Sequence, residues 1–326
     1  MMLMVLAVVP SSVQAEPELR GKIAKLIMAE PGAQTLNHHI GAVIFMGADT
    51  KDRSGEAIKA LTQPYADDGM IVASDMESAT VNRLQSICAL KAASDMASDT
   101  ELRAYMKEKG ECFRSVGINL DLAPVLDISG TGNEVNARSF GTDAQTVSAA
   151  GALYILGLRD AGVGATAKHF PGLYGLSSTR TDTTLVSIQK TESQLDGREL
   201  IPFTKAKEAG VYAVMMSSAL FPLLDQTDEQ KKMPAGINPT LVAKARHIFG
   251  TDTVIMTDAL NTATFKAYYK DDDYIVKAAV DALRAGNDMV LVMDPAKIDA
   301  VITAVEADVT NTQDDTLTQA DIDAKY

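Results

Sequence analysis

Hydrophobic residues fall along this chain mostly in short continuous runs, with residues 118–122 alternating instead. Eight stand out, at positions 25–28, 41–45, 70–73, 118–122, 163–167, 211–216, 253–256 and 289–293. An unbroken run leaves no face for water, so it predicts a strand covered on both sides, as in a parallel sheet. The segments between mostly carry helix signals. Residues 142–160 begin with a plausible cap and stop before Gly162. Asn238-Pro239 is a cap followed by proline at the first helical position. Residues 274–285 end at Gly286, and 200–209 run up to Gly210. The stretch 77–109 is long enough for one or two helices, whereas 30–40 shows no obvious helix. Strands alternating with helices in this way predict a single-domain (β/α)8 barrel of the TIM type. An open doubly wound sheet is the alternative, but no Gly-rich dinucleotide fingerprint supports it.

In such a barrel the chemistry sits at the carboxyl ends of the strands. Those ends carry Asp75 and Glu77, Asp121 and Asp127, Lys168 and His169, Ser217 and Ser218, Asp258, and Asp294. One Asp after a strand is commonly a helix cap or turn former. Several of them converging with a Lys-His pair suggest a site. The stretch Val163 to Gly172 is the most telling, because an apolar run ends there in Lys168-His169 and then Phe170-Pro171-Gly172. Pro171 biases Phe170 towards extended backbone, and Gly172 permits conformations closed to other residues. A cation beside an imidazole at a strand end suits hydroxyl-rich or anionic ligands.

Composition narrows the field. The net charge of −13 argues against a nucleic-acid partner, which needs basic patches, and against anionic membrane surfaces. Tryptophan is absent and aromatics make up 5%, so a sugar ligand would fill a small pocket rather than a long aromatic groove. His38 and His39 read as loop residues and His247 as a surface residue. No cluster has metal-ligand spacing, so neither metal nor cofactor is expected. Cys88 and Cys112 could form one disulfide closing a helical hairpin or remain two buried thiols. Residues 1–9 are apolar and Val13-Gln14-Ala15 resembles a small-residue cleavage site, so 1–15 reads as a candidate signal-peptide remnant preceding a barrel over 16–326. That run is too short to span a bilayer. The expected location is therefore secreted or cell-envelope, with cytoplasmic as the alternative.

Five motifs in order resemble glycoside hydrolase family 3. They are Asp75-Met76-Glu77, Asp121-Leu122-Ala123-Pro124-Val125-Leu126-Asp127, Arg138-Ser139-Phe140-Gly141, the Lys168 to Gly172 turn, and Thr257-Asp258 after its strand with Asn287-Asp288 before the next. Because the length accommodates the barrel alone, the chain resembles the single-domain bacterial β-N-acetylhexosaminidases. The resemblance implies a retaining glycosidase acting on a small carbohydrate, with Asp258 as nucleophile. It also implies that Lys168, His169 and Arg138 hold sugar hydroxyls and that Asp75 accepts hydrogen bonds from a hydroxyl pair.

The sequence departs from that family in three places. Single-domain members carry an Asp-x-His dyad whose His is the acid/base, but residues 173–184 contain no His. Allowing one inserted residue, Asp182 falls at the position of that His. A carboxyl could serve there if burial raised its pKa; otherwise Thr181-Asp182-Thr183 is a turn element. The Gly-Gly-Arg after Asp75-Met76-Glu77 is missing, and Arg83 matches the second arginine of that segment. Ser217-Ser218 replaces an Ala-His pair. These losses keep open a catalytically silent sugar-binding barrel. A Schiff-base aldolase using Lys168 is a further alternative.

Overall fold

The computed structural model describes residues 16–130, 137–173, 183–224, 226–311 and 316–325. Eight parallel strands close into a barrel in sequence order. They are β1 Ile27–Ala29, β2 Ala42–Phe45, β3 Ile71–Ser74, β4 Leu120–Asp121, β5 Gly164–Phe170, β6 Ala213–Met216, β7 Val254–Ala259 and β8 Met289–Leu291. Closure comes from β8 pairing with β1, with Val290 opposite Ile27. Each expected run contains or overlaps its strand. The first run is displaced, because residues up to Lys25 continue the helix Glu16–Lys25.

The main outer helices are α1 Gly55–Asp67, α2 Leu102–Ser115, α3 Ala144–Asp160, α4 Ile201–Glu208, α5 Pro239–Phe249, α6 Tyr274–Ala285 and α7 Ile298–Thr310. Their ends follow the sequence signals. Asp143 accepts from Thr146 N at the start of α3, and Asn238 accepts from Thr240 N and Leu241 N at the start of α5. The link between β1 and β2 does hold a helix, the five-residue Ala33–Asn37, too short to show a period. Gly41 makes that tight crossover possible, since a Cβ there would stand 1.9 Å from Lys25 O.

Strand side chains alternate between two cores. Met28, Ile44, Leu120, Met215, Met256 and Leu291 fill the barrel. Ile27, Val43, Val72, Val214 and Ile255 face the helices. At the mouth the alternation is interrupted in the two strands that carry the site, with register shifts between Lys168 and Phe170 on β5 and between Met256 and Ala259 on β7.

The stretch 77–92 departs from expectation, forming an irregular loop; helix appears only at Ala93–Ala97 and in α2. Its backbone is tied locally, with Glu77 N donating to Val81 O and Arg83 N donating to Asp75 O. Tertiary pairing of its polar side chains outweighs the helix propensity of its Ala, Leu and Met residues. Cys88 in this loop is disulfide-bonded to Cys112 on α2, so the bridge ties a loop to a helix and does not close a helical hairpin.

Candidate active site

The site is built on the carboxyl ends of β3, β4, β5 and β7. Lys168 lies on β5 opposite Met215 of β6, and Met215 lies opposite Met256 of β7. Asp258 stands two residues beyond Met256, at the carboxyl end of β7 where the register shifts between Met256 and Ala259. It is only partly buried, and its Oδ1 accepts from Ala259 N at 2.7 Å. Among the described residues no cation pairs with it.

Opposite lies a dense ion network. Lys168 Nζ is 2.8 Å from Asp75 Oδ1 and 2.7 Å from Glu77 Oε1. Arg138 grips Glu77 with two parallel bonds, Nε to Oε2 at 2.7 Å and Nη2 to Oε1 at 2.8 Å. Such forked pairing fixes direction as well as charge. Arg83 Nη2 approaches Asp75 Oδ2 at 3.4 Å. Burial alone would push the Glu77 carboxyl up, but Lys168 and Arg138 outweigh it and hold the group far below the usual carboxylate range. Burial likewise disfavours the Lys168 ammonium, yet Asp75 and Glu77 more than compensate, so it stays charged.

His169 is held from below by Asp127, which is fully buried. Its Nδ1 lies 2.6 Å from Asp127 Oδ2, and Asp127 Oδ1 also accepts from Leu173 N at 2.8 Å. With Nδ1–H donating to the carboxylate, Nε2 is left as the acceptor facing Arg138 Nη2 at 3.5 Å. The turn that follows needs glycine, because Gly172 has φ 114° and its N donates to His169 O. The peptides Lys168–His169, Phe170–Pro171 and Ala123–Pro124 are cis.

A third layer lies beneath. Asp121 and Tyr154 of α3 are fully buried. Asp121 Oδ1 accepts from Met76 N at 3.0 Å; Tyr154 Oη is 2.8 Å from Asp121 Oδ2 and 2.5 Å from Met76 O. Burial pushes the Asp121 carboxyl well above its ordinary value, with the bonds from Met76 and Tyr154 pulling the other way.

A family model described as glycosyl hydrolase family 3 N terminal domain matches residues 18–326. The chain belongs to glycoside hydrolase family 3. Beta-hexosaminidase LpqI of Mycobacterium tuberculosis is 26% identical over 313 residues, which are 91% of this chain and 79% of the relative. A family 3 β-N-acetylglucosaminidase from Paenibacillus sp. str. FPU-7 superposes with TM-score 0.82 at 28% identity, over 94% of this chain and 60% of that one. A β-N-acetylhexosaminidase from Beutenbergia cavernae gives TM-score 0.80 at 27% identity, over 94% of this chain and 96% of that one.

The motifs that carry the family resemblance thus converge. Asp75, Arg83, Arg138, Lys168 and His169 form one connected cluster, and Asp258 rises from the same rim. Asp182 lies outside the described residues. Sequence reading placed Glu77 and Asp127 on the rim without giving either a role; the ion pairs supply one. Tyr154 gave no signal, since a tyrosine within an Ala- and Leu-rich helix reads as ordinary packing. Arg83, expected on a helix, lies in the loop after β3. Ser217 and Ser218 are buried at the end of β6, and among the described residues neither Oγ finds a partner. Among the described residues no group of His, Cys, Asp or Glu is arranged for a metal. A groove of about 650 Å3 lies elsewhere, lined by Tyr268, Asp281, Arg284 and Lys325, and contains none of the rim residues.

Proposed function

We propose that this family 3 chain is a retaining exo-glycosidase that removes a terminal β-linked sugar, with N-acetylglucosamine the favoured unit. The observation that carries the reading is the asymmetry of the rim. A partly buried carboxylate, Asp258, stands at the end of β7, and a largely buried cluster of fixed charges stands at the ends of β3 to β5. Asp258 attacks the anomeric carbon, the glycosidic bond breaks, and a covalent glycosyl–Asp258 ester forms. A proton passes to the departing oxygen, and water then hydrolyses the ester with the stereochemistry restored. Asp182 is the proposed proton donor, on the grounds of its place in the sequence. Asp75, Lys168, His169, Arg138 and Arg83 orient the sugar. The names of the Mycobacterium, Paenibacillus and Beutenbergia relatives support the amino-sugar preference.

The aldolase alternative loses its support. A Schiff base needs a neutral amine, and Lys168 is clamped as an ammonium between Asp75 and Glu77. Export is the proposed fate, because a disulfide such as Cys88–Cys112 persists in oxidising compartments. Among the described residues no helix is long and apolar enough to cross a membrane.

The test is a panel of nitrophenyl glycosides with the product anomer followed by NMR. The N-acetyl-β-glucosaminide should be cleaved fastest, releasing the β-anomer first. Release of the α-anomer, or no turnover of any member, would reject the proposal.

A further inference from the structure

The arrangement beneath the ion network points to a positioning device that the proposed chemistry does not itself require. Asp75 and Glu77 flank Met76, and Lys168 bridges their carboxylates. Wherever the Met76 peptide goes, both carboxylates and the Lys168 ammonium must follow. The two polar backbone atoms of Met76 are held from the helix side of the sheet. Its N–H donates to Asp121 Oδ1 and its carbonyl accepts from Tyr154 Oη.

Counting protons decides the state of this clamp. Tyr154 Oη carries one hydrogen yet has two close neighbours, Met76 O at 2.5 Å and Asp121 Oδ2 at 2.8 Å. Met76 O can only accept, so the phenol hydrogen goes there. If Asp121 were ionised, its Oδ2 would face the phenol oxygen lone pair to lone pair, in a site with no measurable exposure. If Oδ2 carries a proton, it donates to Tyr154 Oη and all four groups are satisfied. Three residues with no measurable exposure cannot leave such a group unpaired cheaply. The charged groups that bear on Asp121 are Lys168 and Asp75, and they act in opposite directions, while burial favours the neutral form.

We infer that Asp121 is a positioning residue, a neutral carboxylic acid that relays one hydrogen bond through Tyr154 and receives another from Met76. It thereby sets the height at which Asp75 and Glu77 present Lys168 to the substrate. The inference rests on the glycosidase reading for its functional consequence, but not for its chemistry.

The experiment compares three variants with the wild type on the nitrophenyl N-acetyl-β-glucosaminide, with an infrared difference spectrum between wild type and D121N. Asn reproduces both bonds of a neutral acid, its Oδ1 accepting and its Nδ2 donating, so D121N should rescue kcat/KM to within about threefold. D121L and Y154F should lose about 10- to 100-fold, as expected for reacting groups displaced by a fraction of an ångström. The infrared spectrum should show a protonated carboxyl C=O band at pH 7 that D121N removes. A fall in D121N as deep as that in D121L, an undiminished D121L, or a missing band would each overturn the inference. If D121L fails to fold, D121N, Y154F and the band still decide. Since the infrared arm needs no substrate, an inactive wild type would sink the glycosidase assignment and leave the Asp121 result standing.

Discussion

The two arcs of the barrel mouth are built on opposite plans. From β3 to β5 every charge has a partner. Asp75, Glu77, Arg138, Lys168, His169 and Asp127 form one linked set, most of it buried. From β6 to β8 the mouth is sparse. Among the described residues Ser217 has no partner for its hydroxyl, and Asp258 is partly buried and accepts from its neighbour's N–H. A sugar must be held in one orientation before its anomeric carbon can be attacked, so the holding side gains from rigidity. A nucleophile must form and break a bond, and a carboxylate locked into a salt bridge would be a poor one. The division fits a site in which binding is preorganised on one arc and covalent chemistry happens on the other.

The sharpest way to break this comparison is to disable each arc separately. D258N should lower kcat at least about 10³-fold while folding normally, because it removes the proposed nucleophile and its surroundings ask little of it. Retained activity would remove Asp258 from the role. E77Q should behave in the opposite way, losing stability before chemistry. It leaves the buried Lys168 and the partly buried Arg138 with one counter-charge fewer, which costs up to about 3–5 kcal/mol in comparable buried sites. Chemical denaturation measures it. The Glu77 term is complete above about pH 4.3, where the unfolded glutamate is ionised, and is lost as pH falls towards its depressed folded value. The gap between wild type and E77Q should therefore shrink only in acid.

Asp121 gives the reverse sign. Its folded pKa is raised, so ionisation favours the unfolded chain once pH passes about 3.9. D121N removes that penalty. Relative to wild type it should gain stability as pH rises from about 4 towards neutrality, by up to about 1.4 kcal/mol per pH unit. A flat difference across that range would mean that Asp121 is ionised in both states. The smallest effect is expected from R83Q. The Arg83 guanidinium is partly exposed and only 3.4 Å from Asp75, so less than about 1 kcal/mol of stability should go with it. A large rise in KM would instead promote Arg83 to a direct sugar ligand.

Much of the architecture was legible because burial on both faces writes itself into unbroken apolar runs, and caps such as Asn238-Pro239 punctuate them. The five-residue helix Ala33–Asn37 escaped because it is shorter than two turns. The loop after β3 escaped because its conformation is imposed by partners far along the chain. Lys168 lies 93 residues from Asp75, and Tyr154 lies 78 from Met76. Side chains that announce chemistry by type, Lys168, His169 and Asp258, could be picked out. Their supports could not be given roles: Asp121 and Asp127 were visible only as rim carboxylates and Tyr154 not at all, since all three acquire their meaning from what the fold puts beside them.

The most direct measurement is covalent trapping. A fluorinated glycoside with a good leaving group slows hydrolysis of the glycosyl-enzyme ester, and mass spectrometry of the digested protein locates the adduct. The account predicts one sugar per chain on the peptide containing Asp258, and none in D258N. A label on another carboxylate, or turnover without any label, would contradict it.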